Sequence, residues 1–307
     1  MDMHKRLILI MLVLVACCQL VNSQAEVNKT AIADGIYQLT CGDVTMEIDG
    51  NIGARVVSLR MDGIELLGTS LLNRSMYGST LWLSPEGKWR GQGILDNGTY
   101  GLEESTGSYL RLRSLNDTVR GFVFTKEFMT NDMDNSFSIN YTITNIDNND
   151  QEVAPWEVTR VPTGGLAFIP KSNPENNPTP NAMYPLLNVQ DYIETIWYPY
   201  DTLQVSPQKC FMAGGEGWMA YTYEGLIFVK KFPVIENGQA APNENNIEIY
   251  VNREKTYIEL ENQGEYQKLG NGESLTYEVK WYVRRLPDGI KVETGNKSLI
   301  DFAKSII

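Results

Sequence analysis

Two carboxylates and a tyrosine alternate along one short segment near the end of the chain. Tyr257, Glu259 and Glu261 are separated by Ile258 and Leu260. In a β-strand successive side chains point to opposite faces, so the three polar side chains share one face and the two apolar ones the other. Carboxyl groups held close together raise each other's pKa, which can leave one of them protonated as an acid. The segment therefore predicts two carboxylates directed at the same cavity.

Four tryptophans form a second group of candidate residues. They are Trp82, Trp89, Trp156 and Trp197. An indole face can stack on the C–H face of a pyranose ring, although in a β-sandwich a tryptophan more often belongs to the core. Both interpretations stay open for each of the four.

Charged residues surround one of these tryptophans in the segment PWEVTR. In a regular strand Trp156 and Arg160 lie on one face. Glu157 and Thr159 then lie on the other face, so the four cannot serve one pocket. We favour the face with Trp156 and Arg160, and we retain Glu157 because a bulge after Pro155 would reverse the two faces.

A lysine lies among apolar residues in the segment GLIFVKKF. Phe228 and Phe232 flank Lys230 on its own face of the predicted strand. A lysine in that setting must reach a carboxylate or a ligand, or extend its ammonium group to water. Lys230 is therefore a candidate ligand-binding residue.

Alternation also predicts the elements that position these residues. Apolar residues occupy every second position from Phe137 to Ile143 and from Leu275 to Val283, which is typical of strands with one buried face. Further strands are predicted at 44–48, 54–61, 109–115, 119–128, 218–223, 226–232, 247–251 and 257–261. Turn pairs such as Asp62-Gly63 and Asn97-Gly98 separate them. The pattern predicts one all-β domain over 26–307, an antiparallel sandwich or barrel.

Two segments depart from this pattern. The segment from Pro170 to Pro185 is rich in proline and asparagine, which excludes a regular strand interior. It is either a loop that flanks a binding site or a solvated surface loop. The last segment, 298–306, has helical spacing after Ser298 and predicts a short C-terminal helix with a serine cap.

The start of the chain has the pattern of an export signal. Lys5 and Arg6 precede an apolar run from Leu7 to Ala16 that is too short to span a bilayer. The following residue, Cys17, ends a lipobox-like sequence and would then carry lipid at the new N-terminus. Ordinary cleavage near residue 23 is the alternative. We therefore expect a signal segment over 1–23 and an exported protein of the periplasm, outer membrane or cell surface, with a lipid anchor if Cys17 is acylated.

Composition narrows the possible chemistry. The single histidine, His4, falls in the predicted signal, and its removal leaves no imidazole for acid–base catalysis or metal binding. The net charge of −12 argues against nucleic acid as a partner. We expect no cofactor. Calcium is compatible with the acidic loops 131–135 and 145–150, although such loops are usually solvated turns.

Two further cysteines remain beyond the signal region, Cys41 and Cys210. In an oxidising envelope they can form a disulfide bond. Two unpaired buried thiols are the alternative, because the geometry decides and the sequence does not supply it.

Several segments resemble the galactose mutarotase-like superfamily. GARVVSLRMDGIELL (53–67) resembles its opening hairpin, and YIELENQGEYQKLGNGESLTYEVKWYV (257–283) resembles its closing strands. Between them, LWLSPEGKW (81–89), APWEVTRVPTGG (154–165) and GLIFVKKF (225–232) are similar to an uncharacterised family of bacterial envelope lipoproteins in that superfamily. The resemblance implies an all-β, galactose mutarotase-like β-supersandwich whose concave face holds a sugar in related proteins.

The resemblance also implies residue roles. LENQ (260–263) is similar to the family's Leu-Glu-Thr-Gln, which places a general base at Glu261 if the chain is an enzyme, with Glu259 beside it. The family's histidine acid has no counterpart. The residues expected on the concave face are Trp82, Glu86, Trp156, Arg160, Lys230, Glu259 and Glu261, with Trp89 and Glu157 as further candidates.

The favoured hypothesis is a carbohydrate-binding envelope lipoprotein that serves glycan recognition or uptake, with a saccharide as its ligand. One alternative is a sugar epimerase, mutarotase or lyase that uses carboxylate, lysine or tyrosine groups in place of histidine. The other is a structural envelope module that binds a partner protein.

Overall fold

The alternating segments form two antiparallel sheets in the computed structural model, which describes residues 31–89, 91–203, 207–213, 215–236 and 238–307. The predicted signal segment and Cys17 lie outside the described residues. Within the described ranges, no helix is long and apolar enough to cross a membrane.

The first sheet contains eleven strands, numbered along the chain. They are β1 (Ala31–Ala33), β2 (Ile36–Cys41), β3 (Val44–Asp49), β4 (Arg55–Met61), β5 (Ile64–Glu65), β6 (Ser79–Ser84), β11 (Gln151–Val161), β15 (Gln208–Met212), β18 (Ile247–Val251), β19 (Ile258–Gln263) and β20 (Gln267–Leu269). Their order is β1-β2-β3-β4-β6-β11-β19-β18-β15, with β5 paired to β4 and β20 to β11.

The second sheet contains ten strands. They are β7 (Tyr100–Ser105), β8 (Tyr109–Ser114), β9 (Phe122–Asn131), β10 (Ser136–Asn145), β12 (Leu166–Pro170), β13 (Gln190–Tyr192), β14 (Thr195–Pro199), β16 (Trp218–Tyr223), β17 (Leu226–Lys231) and β21 (Ser274–Arg285). Their order is β13-β14-β12-β16-β17-β21-β10-β9-β8-β7.

The inner faces of the two sheets form the main hydrophobic core. On β21 the burial alternates along the first half of the strand, as the sequence predicts. Its buried side chains stand opposite those of β10, with Phe137 opposite Trp281 and Ile139 opposite Val279. The first sheet contributes the apolar side chains that alternate along β18 and β19, among them Ile249 and Leu260. Both period-two segments therefore bury the predicted face.

Two helices are present among the described residues, α1 (Ile94–Asn97) and α2 (Lys297–Ile306). The second packs its apolar face on the outer side of the second sheet, which confirms the predicted C-terminal helix. The predicted serine cap is wrong. The side chain of Asn296 accepts a hydrogen bond from the backbone N–H of Ser298 at 3.0 Å, so the cap lies two residues earlier.

The proline-rich segment connects the two sheets. It leaves the second sheet at β12 and pairs with the edge strand β15 of the first sheet. The backbone groups of Thr179 and Phe211 exchange two hydrogen bonds of 2.8 and 3.0 Å. The N–H of Leu187 donates to the carbonyl of Lys209 at 3.0 Å, and the N–H of Lys209 donates to the carbonyl of Pro185 at 3.1 Å. The segment therefore covers the edge of β15, which would otherwise expose unpaired backbone groups.

The two cysteines that the sequence left unassigned are both free and buried. Cys41 lies on β2, where its thiol contacts the carbonyl of Asn131 at 3.5 Å. Cys210 lies on β15, where burial raises the pKa of its thiol to about 12. The alternative of two unpaired thiols therefore describes this structure.

Candidate functional site

Alternating side chains of five adjacent strands meet on the outer face of the first sheet. The strands are β6, β11, β19, β18 and β15, and the residues between these side chains face the core. They enclose a pocket of about 130 Å³, here called the tryptophan pocket. Its lining residues are Met76, Trp82, Glu86, Trp156, Tyr184, Lys209, Tyr250, Tyr257 and Glu259.

Aromatic rings form much of the wall of the tryptophan pocket. Trp82 and Trp156 are cross-strand partners, and their rings meet edge to face with centroids 5.3 Å apart. Tyr184 from the proline-rich segment meets Tyr250 in the same way at 5.4 Å. Tyr257 adds a fifth ring. Of the two interpretations of the proline-rich segment, the structure supports a loop that flanks this pocket.

A buried lysine joins two carboxylates at one side of the pocket. The Nζ atom of Lys209 lies 2.6 Å from Glu248 Oε2 and 2.9 Å from Glu261 Oε2, and all three side chains are at most 3% exposed. Burial alone would lower the pKa of Lys209, but the two carboxylates outweigh it and hold that pKa well above its usual value. Burial raises the pKa of Glu248, and Lys209 opposes this effect. Trp156 Nε1 donates to Glu261 Oε2 at 2.7 Å, so the same carboxylate fixes the indole ring.

Glu259 is the acid from strand β19 that lines the pocket. Its Oε1 accepts a hydrogen bond from Arg160 Nε at 2.8 Å, and the guanidinium group of Arg160 stacks 5.0 Å from the ring centre of Trp82. Burial raises the pKa of Glu259 to about 7, and the Arg160 charge opposes the increase. The pocket therefore contains a carboxyl group that exchanges its proton near neutral pH.

Three polar atoms beside the pocket are buried without a hydrogen-bond partner in the described part of the chain. They are Trp82 Nε1, Arg160 Nη1 and Glu261 Oε1. A buried donor or acceptor without a partner costs about 1–3 kcal/mol. Two donors and one acceptor next to aromatic rings match a ligand whose groups both donate and accept hydrogen bonds.

The structure brings most of the predicted site residues together. Trp82, Glu86, Trp156 and Glu259 line the pocket. Arg160 and Glu261 are fully buried and do not belong to the lining. They contact it through Glu259 and Trp156, respectively.

Glu157 lies on the inner face of the first sheet and Lys230 on the inner face of the second sheet, which corrects their predicted placement at the pocket. The register of β11 against β6 is unbroken from Ala154 to Thr159, so no bulge turns Glu157 outward. Lys230 does reach a carboxylate, as its apolar setting requires, but the partner is Glu157 Oε2 at 2.8 Å inside the sandwich. Tyr141 donates to the other oxygen of Glu157 at 2.8 Å.

Two of the four tryptophans belong to the core. Trp89 lies edge to face against Phe122, with centroids 5.4 Å apart, and is absent from the lining of the tryptophan pocket, contrary to its predicted position. Trp197 stacks on Phe168 at 4.9 Å in the cluster beneath α2.

Sequence reasoning missed Lys209, Tyr184, Tyr250 and Glu248. A signal exists for two of them, because Glu248 and Tyr250 alternate with isoleucines on the predicted strand 247–251 and so share one face. Lys209 lies next to Cys210 on β15, a five-residue strand that the sequence analysis does not predict. Tyr184 lies in an irregular segment, where no periodicity indicates its direction.

Other features of the described residues do not suggest a stronger site. No group of three or more His, Cys, Asp or Glu side chains among them can hold a metal ion. A larger cavity of about 430 Å³ lies near the C-terminal segment, and its acidic lining residues, Glu224 and Glu293, are exposed. The described lining of this larger cavity therefore lacks buried charged side chains such as those beside the tryptophan pocket.

Residues 84–284, more than half of the chain, match the sequence model of a family described as Domain of unknown function (DUF4380). No curated protein matches the chain. Solved structures of similar fold include two from lactobacilli. A galactose mutarotase-like protein from Lactobacillus casei ATCC 334 has a TM-score of 0.60 and 14% sequence identity, over 81% of this chain and 100% of that chain.

The second similar structure is a galactose mutarotase related enzyme from Lactobacillus acidophilus. It has a TM-score of 0.59 and 10% identity, over 83% of this chain and 99% of that chain. At such identities the likeness shows the fold alone. It confirms the predicted all-β, galactose mutarotase-like fold, while the predicted relation to envelope lipoproteins stays a prediction.

We predict that Lys209→Met lowers the free energy of unfolding by about 3–5 kcal/mol, because it leaves Glu248 and Glu261 buried without a cation. Urea denaturation monitored by tryptophan fluorescence measures the change. Adding Glu248→Gln to this variant removes one uncompensated charge and should restore part of the loss. The control is Lys268→Met, which breaks an exposed pair with Asp150 and should leave stability nearly unchanged. Equal losses in the two lysine variants would contradict the role assigned to Lys209.

We also predict that the contribution of Glu259 to stability falls as pH rises. Its pKa is about 7 in the folded protein and 4.5 in an ordinary setting. Between these values the folded chain holds a proton that the unfolded chain releases, so this stabilisation is lost as pH approaches 7. Glu259→Gln removes the titration. Urea denaturation at pH 5 and pH 8 should show that wild type loses stability relative to this variant at the higher pH. The control is the exposed substitution Glu278→Gln. The prediction is contradicted if the stability of wild type, measured relative to Glu259→Gln, stays constant or increases from pH 5 to pH 8.

Proposed function

We propose that this chain, which belongs to the family described as Domain of unknown function (DUF4380), binds a saccharide in the tryptophan pocket. One observation carries the proposal. Five aromatic rings surround a small pocket. Beside it, Trp82 Nε1 and Arg160 Nη1 are buried and have no hydrogen-bond partner among the described residues.

The walls suit a pyranose ring. Small-molecule sites are mostly apolar and carry a few placed polar groups that fix orientation. A pyranose presents C–H faces that stack on aromatic rings, and its rim carries hydroxyl groups that donate and accept hydrogen bonds. Trp82 and Tyr250 offer such faces, and Glu259 offers a hydrogen-bonding carboxyl group in the lining.

The fold supports the same ligand class. The descriptions of the two similar structures name galactose mutarotase, and galactose is a sugar. We extend that class to this chain because the pocket chemistry agrees with it.

We propose an envelope location from sequence alone. The basic and apolar residues before Cys17 suit export, and acylation of Cys17 would anchor the protein to a membrane. Glycan recognition or uptake at the cell surface follows as the proposed role.

Trp82→Phe should weaken saccharide binding about tenfold. The change removes the indole N–H and part of the stacking surface, each worth about 0.5–1.5 kcal/mol, and 1.4 kcal/mol corresponds to a factor of about ten. Calorimetry with a panel of neutral monosaccharides and oligosaccharides, selected by a glycan array, measures the affinity. Trp89→Phe is the matched control, because Trp89 lies in the core, and its affinity should equal that of wild type. An array without any bound saccharide would contradict the proposal.

A second candidate function is acid–base chemistry on the bound sugar, favoured by the pKa of Glu259. A carboxyl group that titrates near pH 7 can accept a proton from a ring hydroxyl and return it, which is the ordinary requirement of a general acid or base. Glu259 faces the pocket, whereas Glu261, the base implied by the family resemblance, is fully buried and engaged by Lys209 and Trp156.

This second candidate predicts mutarotation of galactose or glucose above the buffer rate, measured by polarimetry. Glu259→Gln should lower turnover by at least about 10²-fold, because a positioned acid–base group is worth about 10²–10⁴ in rate. Glu261→Gln is the comparison, with folding of both variants checked by circular dichroism. If only Glu261→Gln loses turnover, the base is Glu261. If mutarotation by wild type does not exceed the buffer rate, this second candidate function is contradicted.

A further inference from the structure

A second cavity adjoins the tryptophan pocket. It has a volume of about 280 Å³ and is lined from three loops, at 85–88, 181–183 and 242–244. Its lining residues Pro85 and Gly87 flank Glu86 in sequence, and Met183 precedes Tyr184. Glu86 and Tyr184 themselves line the tryptophan pocket, and the Tyr184 hydroxyl donates to Glu86 Oε1 at 3.4 Å. The two cavities therefore meet at this hydrogen-bonded pair.

The second cavity contains a buried carboxyl group that is only partly used. Glu244 lines it and is 6% exposed. Its Oε1 accepts a hydrogen bond from the backbone N–H of Glu86 at 2.8 Å, which ties the two cavities together. Its Oε2 is buried and has no protein partner in the described residues. Such an atom costs about 1–3 kcal/mol unless a ligand group pairs with it.

An amide donor completes the polar lining. Asn181 Oδ1 accepts hydrogen bonds from the backbone N–H groups of Met183 and Tyr184 at 2.8 and 3.0 Å, which fixes the direction of the side chain. Its Nδ2 donor is buried and has no hydrogen-bond partner in the part of the chain that the structure describes. A fixed amide donor and a carboxyl acceptor in one cavity match the hydroxyl groups of a sugar ring.

We propose that this cavity is a second sugar subsite and that the ligand is an oligosaccharide of at least two linked sugar residues. One residue occupies the tryptophan pocket and the next occupies the cavity beside Glu244 and Asn181, with the glycosidic linkage at the Glu86–Tyr184 pair. The inference rests on the proposed saccharide function and extends it to the class of ligand. A monosaccharide in the first pocket would leave both unpartnered groups of the second cavity unused.

Gly87 offers a way to block the second cavity alone. A Cβ atom at this position meets no atom of the described residues within 4 Å, and the φ of Gly87 lies outside the left-handed region. We therefore expect Gly87→Trp to occupy the cavity without backbone strain, at a position that does not line the tryptophan pocket. The matched control is Gly107→Trp, at a position with equally open surroundings and no left-handed φ, in the β7–β8 turn of the other sheet.

Asn181→Asp tests the polar group more finely. It keeps the oxygen that accepts from Met183 and Tyr184 and replaces the unpartnered amide donor by a second oxygen close to Glu244. Asn173→Asp is its control, because Asn173 Oδ1 accepts from the backbone N–H of Glu175 at 3.0 Å in the same segment and lies outside both cavities.

The experiment is calorimetry of the full chain with monosaccharides and with the disaccharides and trisaccharides built from them. We expect at least one oligosaccharide to bind at least tenfold tighter than its component monosaccharides. Gly87→Trp should reduce the oligosaccharide affinity to the monosaccharide level, and Asn181→Asp should lower it severalfold. Neither substitution should change the monosaccharide affinity. Both control variants should bind monosaccharides and oligosaccharides with wild-type affinity.

The outcomes separate the two proposals. If monosaccharides bind as tightly as every oligosaccharide and Gly87→Trp changes nothing, the second subsite is overturned and the saccharide function stands. If Gly87→Trp weakens monosaccharides and oligosaccharides equally, the cavity is not a separate subsite. If no saccharide binds, the proposed function fails and the second subsite fails with it.

Discussion

The pairing of Lys209 with Glu248 and Glu261 is the interaction on which the tryptophan pocket depends. The three side chains come from the adjacent strands β15, β18 and β19 and are almost completely buried. Removing a charge from water costs several kcal/mol, so the ions must meet at hydrogen-bond distance. A register shift by one residue would send one partner to the opposite face. The ion cluster thus requires the correct strand alignment, and this alignment also fixes Trp156 through Glu261.

Strand β11 carries polar networks on both faces. Trp156 and Arg160 face the pocket, whereas Glu157 meets Lys230 inside the sandwich. A half-exposed strand would place one of these two sets of side chains in water. In this strand, side chains of β19 contact the set that faces the pocket, and Lys230 of the second sheet contacts Glu157 on the other face. Buried polar groups must then find partners on each side. This explains why a segment of alternating apolar and charged residues is buried over its last nine positions.

The sequence predicts the strands and the faces of their side chains, because period two is a local property. It therefore indicated that Trp156 accompanies Arg160 and that Glu259 accompanies Glu261. The face that becomes a pocket depends on which strands lie beside it, and this is a long-range property. For that reason the predicted position of Lys230 at the ligand site is wrong, and the residue lies inside the sandwich. An apolar neighbourhood is equally typical of a core and of a pocket wall. Residues whose position depends on backbone pairing of an irregular segment, such as Tyr184, have no local signal at all.

Glu259 and Glu261 show how neighbours give different properties to two carboxylates on one face of one strand. Glu261 lies opposite Glu248 on β18 and meets Lys209, so its charge is balanced by a buried ammonium group. Glu259 lies opposite Tyr250 and meets Arg160, and the burial that raises its pKa outweighs the guanidinium charge. The first carboxylate is thus held by Lys209 and Trp156 outside the pocket lining, and the second is left able to exchange a proton at the pocket surface. In a chain whose single histidine is at position 4, this arrangement supplies a group that titrates near neutrality without an imidazole.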